Sequence, residues 1–323
     1  DLDLFLAFND GARIGWFENT NGNGDFGSLQ TVSDSAVGGQ FVAVGDLDGD
    51  GDLDLVSASY GYYEDYDGAN KIAWYENTDG NGLFSDEKII SDTADGAKAL
   101  DLTDVDNDGD LDVMAVSLIN NQTVWFDNSD GQGDFGFSQP RFITSDAGGI
   151  GSISSADLDG DGDDDVLAAN YWDNEVTWYE NLDGQGNFGP EQVITRSVRQ
   201  VQSVRHADVD GDGDIDVLSA SLGDDKIAWY ENLDGQGNFG PQNIITNRIN
   251  GAIHLHAEDL DGDGDIDVVA ASTLDGIVSW FENTNGRGQF GTIQILTRNA
   301  AGAEWVTSGD LNGDGRIDIA SAA

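Results

Sequence analysis

Short apolar runs recur along the whole chain, each four to seven residues long and cut off by glycine, aspartate or asparagine. Runs of this length, rich in valine, isoleucine and aromatic residues, predict β-strands, and no stretch keeps a helical period. Residues 41–45 predict a first strand and residues 53–59 a second. In a later unit, residues 215–221, 226–230 and 242–245 predict the second, third and fourth. The Asn-Gly or Asp-Gly step between the third and fourth suits a hairpin whose turn needs positive φ.

The same set repeats. Asp-x-Asp/Asn-x-Asp-Gly-x-x-Asp begins at Asp46, Asp104, Asp157, Asp208, Asp259 and Asp310, in steps of 58, 53, 51, 51 and 51 residues. Trp-Tyr/Phe-Glu/Asp-Asn begins at Trp16, Trp74, Trp125, Trp178, Trp229 and Trp280. A glycine-rich turn ending in phenylalanine follows, as in Gly184-Gln185-Gly186-Asn187-Phe188. A period of about 50 residues lies in the propeller range, and serial four-stranded antiparallel units make propeller blades. Residues 1–323 therefore predict one all-β β-propeller with repeats of about 51–58 residues.

The second strand occurs seven times, counting residues 1–5 and 317–320, and the other three occur six times each. Seven blades with incomplete ends are favoured; six with a spliced closing blade are the alternative. Because Asp1 falls inside a motif, a fragment of a longer chain is expected.

Hydrophobic residues at 38%, with 8 Trp and 14 Phe, supply a core, and 44 Gly supply the turns. With no cysteine, disulfides and thiolate metal sites are excluded. The net charge is −49, from 62 acidic against 13 basic residues. Nucleic acid is excluded as a partner, because phosphate contacts need lysine and arginine. No apolar run approaches the roughly 20 residues of a membrane span, so membrane insertion is not expected.

The placement of the acids is chemically specific. Ca²⁺ takes about 6–8 oxygen ligands and tolerates irregular geometry. Carboxylates at loop positions 1, 3 and 5 converge when the chain curls. Gly at 6 permits the turn, position 7 lends its carbonyl, and the acid at 9 completes the set. The expected ligands are Asp46, Asp48, Asp50 and Asp54 with the main chain of Asp52, and Asp104, Asp106, Asp108 and Asp112 with that of Asp110. The next two loops offer Asp157, Asp159, Asp161 and Asp165 with Asp163, and Asp208, Asp210, Asp212 and Asp216 with Asp214. The last two offer Asp259, Asp261, Asp263 and Asp267 with Asp265, and Asp310, Asn312, Asp314 and Asp318 with Arg316. These are not EF-hands, which need a bidentate Glu at position 12 and a following helix. Position 12 here is Ser57, Ala115, Ala168, Ser219, Ala270 or Ser321. Without a cation such loops carry heavy self-repulsion. One Ca²⁺ per loop, six in all, is expected. Weak sites with a Kd of about 10⁻⁴–10⁻³ M fill outside the cell, so an extracellular or cell-surface location is expected.

The acidic loop between two strands, once per unit, resembles the FG-GAP/VCBS-type repeats of integrin α-subunit propellers and of many bacterial surface proteins. The Trp-Tyr-Glu-Asn and Gly-Gln-Gly-Asn-Phe-Gly phrases resemble its bacterial and algal branch. The resemblance spans the chain. It implies a seven-bladed ring with Ca²⁺ in the loops between first and second strands, on one face. It also implies a role as adhesion module, lectin or part of a polysaccharide-active enzyme, and the fold does not choose among these.

Partner binding is sought where the units differ. The 58-residue step carries Tyr60, Tyr62, Tyr63 and Tyr66, which either stack on a sugar or protein partner or fold onto the neighbouring blade. Tyr171 and Trp172 occupy the equivalent connection of another unit. The six repeated Trp read as packing between blades, and the Asn of that phrase as a turn tie. Asn121-Gln122-Thr123 fits a glycosylation pattern common by chance. Asp101, Arg205, His206, His254, His256 and Glu258 fall on first strands, which line a propeller's channel. They suit either proton abstraction by a lyase or a wet polar lining. No nucleophile elbow, phosphate loop or zinc pattern is present. The expected function is a non-enzymatic Ca²⁺-stabilised module for adhesion, glycan or protein recognition, or self-assembly. The alternative is a secreted polysaccharide lyase.

Overall fold

In the computed structural model, which describes residues 1–9, 11–60, 70–133, 135, 139–146 and 148–323, the strands pair antiparallel into seven sheets. Five sheets have four strands, the first has three and the last has two. We number these blades I to VII in chain order. Blade V is representative: Val201–Ala207, Asp216–Ser221, Lys226–Tyr230 and Asn243–Thr246. Blade I consists of Leu4–Phe8, Arg13–Phe17 and Gln30–Ser33, and blade VII of Trp305–Gly309 and Asp318–Ala322. The predicted count of each strand type is reproduced.

Blades VII and I stand next to each other as any consecutive pair does. Asn232 Nδ2 of blade V donates to Leu158 O of blade IV at 2.8 Å, and Asn283 Nδ2 of blade VI to Val209 O of blade V at 2.8 Å. Asn19 Nδ2 of blade I donates to Leu311 O of blade VII at 2.7 Å, across 292 residues of sequence. The ring is therefore seven-bladed, and the six-bladed alternative fails because the two partial sheets are neighbours rather than halves of one blade.

Second strands are buried along their whole length in blades II to VI, because a neighbouring blade covers each face. Leu167 and Trp178 of blade IV and Val204, Val217 and Tyr230 of blade V belong to one such interblade core. Fourth strands form the outer rim and carry the devices that protect sheet edges. Lys88 reaches Glu76 at 2.6 Å and lies 4.0 Å over the Trp74 ring. A bulge between Ile227 and Ala228, repeated in the other blades, increases the twist toward the rim.

Strand limits shift slightly. The strand expected at 41–45 spans Gly39–Gly45, and the one expected at 1–5 spans Leu4–Phe8, in register with Arg13–Phe17. The glycine turn has two jobs. A Cβ on Gly184 would stand 2.4 Å from Asp163 Oδ1 in the same blade, and one on Gly186 would stand 2.2 Å from the Trp125 ring of the previous blade. The repeated Trp thus packs between blades, as expected.

Candidate functional site

Each acidic loop begins where a first strand ends. In blade V, Asp208 Oδ1 accepts from Gly211 N at 2.8 Å and Oδ2 from Gly213 N at 3.0 Å. Asp212 Oδ1 accepts from Asp214 N at 3.0 Å. Asp46 repeats this with Gly49 N and Gly51 N, and Asp259 with Gly262 N and Gly264 N. Aspartate side chains fold this turn onto themselves, as short acidic side chains do. Gly213 holds φ 99°, which a β-carbon would disfavour.

The curl brings carboxylate oxygens within 4.8 Å of one another in five loops. The converging sets are Asp46, Asp48 and Asp50; Asp104, Asp106 and Asp108; and Asp259, Asp261 and Asp263. In the other two, position 9 joins: Asp157, Asp159 and Asp165, and Asp208, Asp210 and Asp216. Asp106 Oδ1 and Asp210 Oδ1 are buried with no hydrogen-bond partner. Oxygen-only donors, close together and partly unsatisfied, fit a hard divalent cation. These clusters can hold a metal ion.

Position 9 proves more than a ligand candidate. Asp216 is buried, and its two oxygens accept from Val209 N at 2.9 Å and Asn232 N at 2.8 Å. It pins the loop to the end of the third strand, and Asp54, Asp112 and Asp165 do the same. In blade VI Asp267 accepts from Asn283 N and Trp280 Nε1. Burial pushes these acids up, to about 7 for Asp112, Asp165 and Asp216 and about 6 for Asp54 and Asp267. Burial, then the acid at position 5, also raises Asp48, Asp106, Asp159 and Asp210. Of these four, Asp106 has a cation beside it, Arg141 at 3.9 Å, which offsets part of the rise.

At position 7 the side chain is turned aside from the cluster. Asp52, Asp110, Asp163, Asp214 and Asp265 lie against Gly80, Gly131, Gly184, Gly235 and Gly286. The sixth loop has the same turn: Asp310 accepts from Asp314 N and Gly315 N, Asn312 Oδ1 from Asp314 N, and Asp314 Oδ1 from Arg316 N. Asp318 is only half-buried, because blade VII lacks the third strand that covers its equivalents. Among the described residues this loop gathers no set of three acidic groups.

The Asn of the Trp phrase is the one contributor to loop geometry that the sequence undervalued. Asn232 Nδ2 donates to Leu158 O and Ile215 O, tying two consecutive acidic loops. Its recurrence six times was the available signal.

The channel residues are brought together, but as pairs. Asp101 Oδ2 accepts from Ser155 N at 2.7 Å and Ser155 Oγ at 2.8 Å. His206 Nδ1 meets Ser154 Oγ at 3.0 Å, and Arg205 Nη2 meets His254 Nε2 at 2.7 Å. His256 Nε2 lies 3.6 Å from Glu258, which also accepts from Ser308. Burial, then the Arg205 charge, lowers all three histidines and keeps them neutral near pH 7. At the start of the first strands, away from the acidic loops, Gln40, Lys98, Gln202, His254, Glu304 and Trp305 line a cavity.

Tyr62, Tyr63 and Tyr66 lie outside the described residues; Tyr60 N bonds Gly38 O at 2.9 Å. Tyr171 Oη accepts from Gln200 Nε2, while Trp172 is 54% exposed and lies over Gly149. Thr123 is fully buried, so the Asn121-Gln122-Thr123 pattern is closed to a glycosylating enzyme in the folded chain.

A model of the FG-GAP-like repeat matches residues 1–57, 46–115, 104–168, 157–219, 208–270 and 259–321. No curated protein matches the chain. Among solved structures, an Agrocybe aegerita lectin that recognises non-reducing terminal N-acetylglucosamine is similar at TM-score 0.64 and 20% identity, over 99% of this chain and 83% of that one. Virginiamycin B lyase from Staphylococcus aureus is similar at TM-score 0.59 and 12% identity, over 94% and 83%. The V. cholerae biofilm matrix protein Bap1 is similar at TM-score 0.53 and 12% identity, over 98% and 71%. At these identities the likeness concerns the fold.

Proposed function

The chain belongs to the FG-GAP-like repeat family, and from that premise we propose that it is a Ca²⁺-stabilised propeller serving outside the cell as a recognition module for adhesion, glycan or protein binding, or assembly. One observation carries the reading. Five loops gather three carboxylates each, and the position-9 acid beside them also staples two strands. Bound Ca²⁺ supplies positive charge and flexible oxygen coordination. The aspartates at positions 1, 3 and 5 orient the loop by accepting from its backbone N–H groups. The acid at position 9 passes loop order to the third strand. A rigid scaffold then presents the connections at its opposite face to a partner, as loops on stable folds do. Titration of metal-free protein with CaCl₂ in a calorimeter, followed by a glycan array on the loaded protein, tests this. Five or six equivalents of Ca²⁺ bound, with selective glycan retention, are expected. No heat on Ca²⁺ addition overturns it.

The second reading, a polysaccharide lyase, is favoured by the gathering of Arg205 and all three histidines on the channel, and a lyase is among the similar folds. A neutral His256 beside Glu258 has the form of a general base with its orienting acid. Release of unsaturated uronate, lost in His256→Ala, is the result that would replace the first reading with this one.

A further inference from the structure

The cavity at the channel mouth remote from the acidic loops draws its walls from all six first strands and has a volume of about 260 Å³. That is at the small end of ligand clefts, roughly 300–1,000 Å³, and suits one sugar ring rather than a polymer. Its chemistry runs against that of the rest of the chain. In a protein of net charge −49, the ammonium of half-buried Lys98 lines it. Among the described residues the Lys98 Nζ has one hydrogen-bond partner, Gln202 Oε1 at 3.3 Å, although an ammonium carries three donors. Glu304 also lines the cavity and acts on the Lys98 charge without forming an ion pair with it. Trp305 contributes its indole, held by His254 stacked at 3.6 Å and by Phe41 edge-on at 5.0 Å. Arg205 fixes this wall from behind through His254, with its guanidinium 5.4 Å from the Trp305 ring.

We propose that this cavity binds a single carboxylate-bearing sugar unit. The carboxylate meets Lys98 and the Gln202 amide, the hydroxyls meet Gln40, Asn9 and Glu304, and the ring lies against Trp305. An aromatic face, side-chain amides and one underused cation are what an acidic pyranose needs, since a charge-assisted bond to carboxylate is stronger than a neutral one. The inference rests on the recognition reading and assigns that reading a site and a ligand class.

Calorimetry on the Ca²⁺-loaded full chain tests it, with methyl β-D-glucuronide, methyl β-D-glucoside and glucuronamide as probes. Binding of one glucuronide per chain, at least tenfold tighter than either neutral probe, is expected. Lys98→Met should weaken the glucuronide at least tenfold and leave the glucoside unchanged, while Trp305→Ala should weaken both. Should Lys98→Met fail to fold, the comparison of acid with amide on the natural chain decides alone. Equal affinity for acid and amide overturns the proposal, as does no glucuronide binding at millimolar concentration, or a folded Lys98→Met that binds as before. Should the array retain neutral glycans while these probes fail, the recognition reading stands and this site assignment falls.

Discussion

The Trp125 indole occupies the volume that a side chain at position 186 would need, so Gly186 of blade IV is required by a tryptophan of blade III. The relationship recurs between Trp16 and Gly82, Trp74 and Gly133, Trp178 and Gly237, and Trp229 and Gly288. Two sequence phrases about 60 residues apart are thus the two halves of one interblade contact.

Gly186→Ala should therefore cost about 2–4 kcal/mol, from overpacking together with positive φ. Gly302→Ala, at φ 80° with nothing near its Cβ, should cost only about 1 kcal/mol. Urea unfolding of the two variants separates the terms; equal losses would mean that the indole moves aside freely.

Asp165→Ala removes the acceptor of two backbone N–H groups, Leu158 N and Asn181 N. Two orphaned donors should cost about 2–5 kcal/mol even in metal-free protein. Asp161→Ala, at the exposed position 5, should leave metal-free stability within about 0.5 kcal/mol and reduce only the response to Ca²⁺. Chemical denaturation with and without CaCl₂ reads both effects.

Chelation should lower the melting temperature, because an ion bound by the folded chain alone adds its binding free energy to stability. The drop should grow with the logarithm of the Ca²⁺ concentration used as reference. Scanning calorimetry in excess EDTA and at several CaCl₂ concentrations checks this, and an unchanged transition would contradict it.

The pH response should change sign with the metal. Asp112, Asp165 and Asp216 titrate near 7 and Asp54 and Asp267 near 6 in the folded chain, against 3.8 ordinarily. The metal-free folded state binds more protons than the unfolded one between about pH 4 and 7, so its stability falls as pH rises through that window. With Ca²⁺ bound the deprotonated acids are the ones required, and stability should rise over the same window. Melting curves from pH 5 to 8, with and without Ca²⁺, distinguish the two slopes.

The sequence alone determined the blade, the loop turn and the residue types at loop positions 1 to 9. These are local matters, set within about ten residues by strand periodicity, glycine and short acidic side chains. It left open six blades or seven, and the separate sheets at the chain's two ends, joined by contacts such as Asn19 to Leu311, decided for seven. It already placed a neutral Asn312 at position 3 of the sixth loop, which leaves that loop one acid short, but only the fold showed that Asp318 is less buried than its equivalents, with no third strand over it. It singled out the histidines of the channel but passed over Lys98, whose partner Gln202 lies 104 residues away. Closure of a ring brings together residues that no spacing relates, and the chemistry of the channel depends on which of them meet.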